Sequence, residues 1–157
     1  MRSRTFALEL YPEDETHENI LNYIKQYFEY AYILHDKDIW EEEVIEEETG
    51  EVKHEVGERK KQHWHIIIRF NNPRSIESIK KELNVKHIET CNFYAYARYL
   101  IHKDQPQKYQ YSKDEIITNM QLRIDNALKK DYNSQEQDSR ILLDYIFSRQ
   151  GDVLTFK

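Results

Sequence analysis

Two histidines separated by one residue, His63 and His65, offer metal-binding chemistry at a defined spacing. They begin an apolar segment, Ile66 to Ile68, that is typical of a buried β-strand. Alternate residues of a strand point to the same face, so the two imidazoles would lie side by side and could hold one metal ion. Because such pairs also occur without a metal, the interpretation depends on what other segments contribute.

Two further ligands are available at His35 and Asp38, three residues apart directly after another apolar segment. Imidazole favours transition metals, whereas carboxylate and water suit Mg²⁺ and Mn²⁺. A closed structural zinc site usually relies on cysteine, and this chain has one cysteine. The four residues His35, Asp38, His63 and His65 therefore predict an open site for a divalent ion, Mn²⁺ or Mg²⁺. Asp36 is an alternative to Asp38 as the carboxylate ligand.

A candidate nucleophile lies at Tyr99, four residues before Lys103 and so on the same face of a predicted helix. A phenol has a pKa near 10 and is a poor nucleophile unless a cation favours the phenolate. Lys103 or the metal ion could supply that charge. Attack on a phosphodiester would then give a covalent phosphotyrosine that conserves the bond energy. Tyr96 is the alternative nucleophile, although a tyrosine at helical spacing is more often part of a core.

Cations interleaved with aromatic residues follow this helix and suggest contact with nucleic acid. Base stacking on aromatic rings, combined with contacts from cations to phosphates, is how single strands are held. The predicted DNA-binding residues are Arg69, Arg74, Lys108, Tyr109, Tyr111 and Lys113.

The elements that must position these residues follow from periodicity and turn signals. The predicted strands are 2–10, 30–34, 62–70 and 85–89, and the predicted helices are 16–29, 75–83, 92–101 and 113–130. The segment 71–73, Asn-Asn-Pro, is expected to end the third strand. This alternation predicts an α+β fold, a ferredoxin-like sandwich with a central antiparallel sheet flanked by helices. The second and third strands would pair, which would bring His35 close to His63.

Charge is unevenly distributed along the chain. The net charge is −6, but the segment 40–57 contains eight Glu and one Lys, which leaves the other residues near +1. Local fields rather than the overall charge decide how DNA approaches, so an acidic chain does not exclude a nucleic-acid partner. We expect this segment to be a solvated insertion, either an extended hairpin or a mobile loop.

A chain of 157 residues suits one main domain. We predict a functional domain over 1–130 and, over 131–157, a linker and the start of a C-terminal helical or oligomerisation region. The single Cys91 fits a reducing compartment. The N-terminus is too short and polar for a signal peptide, and no apolar stretch approaches the ~20 residues of a membrane span. We therefore expect a cytoplasmic protein.

Three motifs occur in a fixed order along the chain. They are Leu34-His35-Asp36-Lys37-Asp38, Lys61-Gln62-His63-Trp64-His65-Ile66 and Arg98-Tyr99-Leu100-Ile101-His102-Lys103. Over roughly residues 1 to 125 the chain resembles the HUH (His-hydrophobic-His) endonucleases. It is most similar to the RepB-like rolling-circle replication initiators of small Gram-positive plasmids. The spacing in that family favours Asp38 over Asp36 as the ligand.

The resemblance implies an activity. His35, Asp38, His63 and His65 would bind the divalent ion, and Tyr99 would be the single catalytic tyrosine. The domain would bind single-stranded and duplex plasmid origin DNA, and Tyr99 would join the new 5′ end and free a 3′-OH primer. Host helicase and polymerase would be the partners, in a bacterial cytoplasm and within a longer, oligomeric natural chain.

Two alternatives stay open from the sequence. A conjugative relaxase or a transposase would use the same chemistry, although the His35 and Asp38 pair favours the replication initiator. A noncatalytic origin-binding module with a vestigial metal site is the alternative of a different class.

Overall fold

The computed structural model describes residues 2–129 and shows an antiparallel sheet with helices packed on both faces. The elements in chain order are β1 Arg2–Leu10, α1 Glu15–Tyr27, β2 Glu29–His35, β3 Val44–Ile45, β4 Val52–His54, β5 His63–Ser75, α2 Ile76–Leu83, β6 Glu89–Thr90, α3 Phe93–Leu100, β7 Ile117–Thr118 and α4 Gln121–Ala127. The predicted α+β class and central antiparallel sheet are confirmed. Within residues 2–129 no helix has the length and apolar character needed to cross a membrane.

The five-stranded sheet has the order β6-β1-β5-β2-β7, with β5 at its centre. On one side β5 pairs with β1, and on the other it pairs with β2, where His35 lies opposite His63. The predicted pairing of the second and third strands is therefore confirmed. The two outer strands, β6 and β7, are only two residues long.

Alternation along β5 divides the hydrophobic core into two layers. Ile66 and Ile68 pack on one face with residues of β1, α1 and α2, whereas Ile67 packs on the other face with α3 and α4. His63 and His65 share the parity of Ile67, so they lie on the α3 face. The central strand thus carries the two imidazoles at the end of the core beneath α3.

Helix α3 ends in a Schellman motif. The Lys103 N–H donates to the Arg98 carbonyl, the His102 N–H donates to the Tyr99 carbonyl, and His102 has a φ of 58°. A histidine stands where glycine is usual, at a cost of roughly 1–2 kcal/mol. The helix ends at Leu100, so Lys103 lies beyond it and does not share a helical face with Tyr99, contrary to the prediction.

Strand β5 continues through the segment 71–73, which was expected to end it. Its pairing with β2 stops at Arg69, while its pairing with β1 resumes at Arg74 and Ser75 after an irregularity. Proline is tolerated in a strand where its missing N–H faces no neighbour. Pro73 lies in this one-sided part of β5, which explains why the prediction was wrong.

The predicted helix 113–130 is also wrong. A single 3-10 turn at Lys113–Glu115 is capped by Ser112, β7 follows, and the helix begins only at Gln121. The Thr118 hydroxyl donates to the Tyr30 carbonyl, and the Asn119 side chain accepts from the Tyr30 N–H. These bonds and the β-branched residues at 116–118 favour a short edge strand over a helix.

Two further segments can be compared with the sequence-based expectations. The strand predicted at 85–89 corresponds to β6, which spans only Glu89–Thr90, so residues 85–88 are not a strand. Of the two forms expected for the acidic segment, the structure shows a hairpin of β3 and β4. Gly50 has a φ of 74°, and its N–H donates to the Glu46 carbonyl in the turn. The predicted region 131–157 lies outside the described residues, so the domain boundary stays a prediction.

Arg98 is buried and fastens α3 to α4. Its guanidinium donates two hydrogen bonds to Asp104, and it donates to the carbonyls of Ala127 and Lys129. Hydrogen bonds that involve charged groups typically contribute about 1.5–3 kcal/mol, and the bond to the Ala127 carbonyl is buried. We expect Arg98→Met to lower the free energy of unfolding by about 2–3 kcal/mol, measured as a lower urea midpoint at an unchanged m-value. The exposed change Lys113→Met should stay within about 0.5 kcal/mol, and equal midpoints for the two variants would contradict this role.

Candidate active site

Four side chains from two strands and one loop meet at one end of the sheet. One ligand atom from each of His35, Asp38, His63 and His65 lies within 4.8 Å of the others. The β2–β5 register places His35 opposite His63, and His65 is two residues further along the same face. Asp38 follows β2 directly. The structure therefore brings together the four residues that the sequence predicted as metal ligands.

Neighbouring carbonyls fix the orientation of the histidine rings. His63 Nδ1 donates to the Lys61 carbonyl at 2.7 Å, which leaves the Nε2 lone pair facing His65 Nε2 at 3.0 Å. His35 Nε2 donates to the Leu100 carbonyl at 2.6 Å, and His35 Nδ1 lies 3.0 Å from Asp38 Oδ2. Metal-bound histidines characteristically donate their other N–H to such acceptors.

The two hydrogen-bond partners of His35 show whether the residues at this site fit a bound cation. Both the Leu100 carbonyl and the Asp38 carboxylate are hydrogen-bond acceptors. The two contacts are satisfied either by an imidazolium or by a neutral ring whose Nδ1 shares a cation with Asp38. Three imidazole nitrogens and one carboxylate in contact are a donor set that divalent ions accept, so the residues present fit the predicted ion.

Hydrogen bonds hold Asp38 as a carboxylate. Burial alone would raise its pKa, but hydrogen bonds with His35 and Tyr111 outweigh burial and keep the pKa of Asp38 well below its usual range. The Tyr111 hydroxyl donates to Asp38 Oδ1 at 2.7 Å and accepts from the Lys37 N–H. The Tyr111 ring also stacks on His35 at 4.4 Å. Tyr111 thus orients two of the four ligands.

His65 is held neutral. Burial, followed by the neighbouring charges of His35 and His63, lowers the pKa of His65 to about 2. A neutral imidazole keeps a lone pair for coordination. Its Nδ1 contacts the Tyr96 hydroxyl at 3.0 Å.

Glu9 is a further acidic residue beside the four candidate ligands, and the sequence analysis missed it. The β1–β5 register places Glu9 opposite His65, and its carboxylate lies 3.7 Å from Nε2 of both His63 and His65. Strand alternation in β1 could have indicated this position, because Glu9 points to the same face of the sheet as the buried Ala7.

Tyr99 lies beside the histidine cluster. Its ring packs edge-on against His65 and His102, at centroid distances of 5.5 and 5.2 Å. It lines a cavity of about 250 Å³ together with Glu9, Asp38, His63 and His65. The cation over its ring is Lys108, at 5.5 Å, rather than the predicted Lys103.

The two candidate nucleophiles differ in their surroundings. The Tyr96 hydroxyl is engaged by His65, and burial, followed by the charge of Glu9, raises the pKa of Tyr96 well above its usual value. Among residues 2–129 no hydrogen bond to the Tyr99 hydroxyl is found. This difference favours Tyr99 over Tyr96 as a nucleophile.

The predicted DNA-binding residues do not form one surface. Tyr109 and Lys113 are exposed, and Lys108 pairs with Glu41 beside Tyr99. Tyr111 is buried and its hydroxyl donates to Asp38, so its ring offers no exposed face on which a base could stack. Arg69 is buried in the middle of β5, where the pairing with β2 stops, and it lies 3.6 Å from Glu29; Arg74 pairs with Glu82 at 2.8 Å.

Comparison of the sequence with known proteins places the chain in a family. Residues 1–125 match the model of the plasmid replication protein, origin binding domain. A replication protein of Staphylococcus aureus is 28% identical over 162 residues, covering 99% of this chain and 73% of that protein. Replication protein RepB of Lactiplantibacillus plantarum is 28% identical over 149 residues, covering 92% of this chain and 62% of that protein.

A replication protein of Onion yellows phytoplasma is 35% identical over 98 residues, 57% of this chain and 24% of that protein. The chain thus spans from about a quarter to about three quarters of the length of these relatives. The family match covers the sheet, the histidine cluster and Tyr99. The chain therefore belongs to the origin-binding domain family of plasmid replication proteins.

Proposed function

We propose that this domain is a metal-dependent, single-tyrosine HUH nuclease that nicks one strand at the plasmid double-strand origin. The observation that carries the proposal is the meeting of four candidate ligand atoms within 4.8 Å, three of them from residues (Asp38, His63 and His65) that line a cavity together with Tyr99. A divalent ion bound there would polarise a nonbridging phosphate oxygen and neutralise developing charge. The ion we propose is Mn²⁺ or Mg²⁺, because the Asp38 carboxylate and water suit both; the three imidazoles favour Mn²⁺, a transition metal, over Mg²⁺.

In this mechanism the Tyr99 oxygen forms a bond to phosphorus while the bond from phosphorus to the 3′ oxygen breaks. The tyrosine proton leaves the phenol, and the departing 3′ oxygen gains a proton to become a free 3′-OH. The products are a 5′-phosphotyrosine adduct and a 3′-OH end that can prime synthesis. Since one ester bond replaces another, a later strand transfer can rejoin the DNA.

Cationic side chains around the cavity would hold the substrate strand. Lys60 and Lys61 line the same cavity as Tyr99, and Lys108 lies over the Tyr99 ring. Three lysines near one phosphate favour binding of the strand and stabilise the charge that develops during transfer. Orientation of the phosphate between the ligand cluster and Tyr99 would supply much of the rate.

The proposed function is tested by an adduct assay. A labelled single-stranded origin oligonucleotide is incubated with the protein and Mn²⁺, and the products are separated on a denaturing gel. We expect the downstream fragment to be linked to the protein through its new 5′ end and the upstream fragment to be released with a free 3′-OH, and we expect neither product when EDTA is present. Origin binding without any adduct in Mn²⁺ or Mg²⁺ would favour the noncatalytic module instead.

Loss of the Tyr111 hydroxyl should weaken metal binding without removing a ligand. Outer hydrogen-bond partners of metal ligands typically account for 10–100-fold in affinity. We therefore expect Tyr111→Phe to raise the Kd for Mn²⁺ by about tenfold, measured by calorimetric titration without DNA. Tyr27→Phe, at an exposed position on α1, is the matched control and should leave the Kd unchanged. A Tyr111→Phe variant that binds Mn²⁺ as tightly as the unmodified protein would remove Tyr111 from the site.

We propose that the 3′-OH is extended by host polymerase as host helicase opens the duplex. We further propose that the domain extends over 1–130, and that the region 131–157 connects it to an assembly region. Size measurements on the full-length protein and on residues 1–130 would test this division.

A further inference from the structure

A second cavity lies on the α3 face of the sheet, at the end opposite the histidine cluster. It has a volume of about 330 Å³ and is lined by the N-terminal part of β1, by Arg69 and Pro73 of β5, and by the segment 91–94. Three arginines, Arg2, Arg4 and Arg69, contribute to its wall, and none of the described residues that line it is acidic. The chemistry of this cavity therefore suits an anion.

Local hydrogen bonds hold two of these arginines beside the cavity. Arg2 Nη1 donates to the Pro73 carbonyl at 3.2 Å, and Arg4 Nε donates to the Asn71 carbonyl at 2.8 Å. These two bonds orient the guanidinium groups of Arg2 and Arg4. Arg69 lies 3.6 Å from Glu29, so its charge is partly balanced from the side of β2.

A continuous groove connects this cavity to the candidate active site. A third cavity of about 490 Å³ runs along α3 between the two. It shares Glu9, His65 and Tyr99 with the active-site cavity, and it shares Cys91 and Asn92 with the arginine-lined cavity. A bound strand could therefore pass from Tyr99 to the arginines without leaving the surface.

The length of this path follows from strand geometry. Glu9 lies opposite His65, and Thr5 lies opposite Arg69. Four residues of a strand span about 13 Å. Phosphates on one stacked DNA strand are about 3.4 Å apart along the axis, so the distance corresponds to about four nucleotides, or fewer if the strand is extended.

We propose that the arginine-lined cavity binds one backbone phosphate of the strand that carries the scissile bond, about two to four nucleotides from it. This inference rests on the proposed function for the position of the scissile phosphate. Arg2 and Arg4 would hold the strand in register, so that the phosphate to be cleaved lies between the ligand cluster and Tyr99. Guanidinium groups suit this role because their planar donors match phosphate oxygens.

The test replaces single phosphates by neutral methylphosphonates. Origin oligonucleotides carry one neutral linkage at each of the first six positions on either side of the cleavage site. Equilibrium binding is measured by fluorescence anisotropy for the unmodified protein, for Arg2→Gln/Arg4→Gln and for Lys53→Gln/Lys81→Gln. The last variant loses the same net charge at exposed positions outside the groove.

We expect one neutral linkage, two to four nucleotides from the cleavage site, to weaken binding about tenfold or more in the unmodified protein and in the Lys53 and Lys81 variant. In the Arg2 and Arg4 variant the same linkage should have no further effect. The slope of log K against log salt should also fall by about 1 in that variant. An identical linkage profile in all three proteins would overturn the proposal. A cavity that binds only free anions, and no phosphate of the strand, would give this result.

Adduct formation on the same oligonucleotides separates this inference from the proposed function. If the unmodified protein forms no adduct, the nicking proposal fails, while the linkage profile still reports whether a phosphate is bound. If adducts form but the profile does not depend on Arg2 and Arg4, only the inference about the arginine-lined cavity fails.

Discussion

Tyr99→Phe should abolish formation of the protein–DNA adduct, with a loss of at least about four orders of magnitude in rate. The change removes the attacking oxygen but keeps the ring that packs against His65 and His102. We therefore expect Mn²⁺ affinity, the urea midpoint and binding of origin DNA to stay close to those of the unmodified protein. The measurement is single-turnover cleavage of a labelled origin oligonucleotide in Mn²⁺.

Tyr96→Phe is the matched comparison for this prediction. Tyr96 lies one helical turn away and contacts His65 Nδ1 through its hydroxyl. Its loss should reduce metal affinity by about tenfold, and adducts should still form at saturating Mn²⁺. Adducts that persist in Tyr99→Phe and disappear in Tyr96→Phe would assign the nucleophile to Tyr96.

The double change His63→Ala/His65→Ala should remove metal binding and cleavage together. It deletes two of the four proposed ligands, both at the start of β5. Since outer partners alone account for 10–100-fold in affinity, we expect the Kd for Mn²⁺ to rise by more than about 100-fold. A ligand at 100 times its Kd stabilises the folded state by about 2.7 kcal/mol. The rise in Tm that Mn²⁺ produces in the unmodified protein should therefore vanish in the variant.

Duplex binding distinguishes a metal role from a folding role for the two histidines. Both are buried, so their removal could also disturb the sheet. We expect affinity for duplex origin DNA to be largely retained, and His87→Ala, at an exposed histidine, to behave like the unmodified protein in every assay. Parallel loss of duplex affinity, cleavage and the urea midpoint would show that the pair supports the fold instead.

The main parts of the fold and of the ligand cluster could be predicted from local patterns. His63 and His65 at the start of an apolar strand, and His35 at the end of its neighbour, needed only strand alternation and a hairpin-like pairing to be brought together. The order of strands and helices then indicated the layered α+β arrangement. These inferences depend on short-range periodicity, which the sequence carries directly.

The misplaced features depend on tertiary context. Pro73 continues β5 because the pairing of β5 with β2 has already stopped at Arg69, and Ile117–Thr118 is a strand because it pairs with β2. Lys103 is separated from Tyr99 by the left-handed backbone of His102. Tyr111 carried the signature of a DNA-stacking aromatic, yet its position after α3 buries it against His35. The strand pairings and the contact of Tyr111 with His35 join segments that are distant in the sequence, so local sequence patterns do not predict them.

The brevity of β6 and β7 limits how copies of this domain can associate. Each outer strand is two residues long, so neither β6 nor β7 offers a long row of main-chain groups to a strand of another copy. Short margins of this kind protect a protein against strand-to-strand polymerisation. We therefore expect any contact between neighbouring copies of this domain to form through side chains rather than through pairing of their sheets.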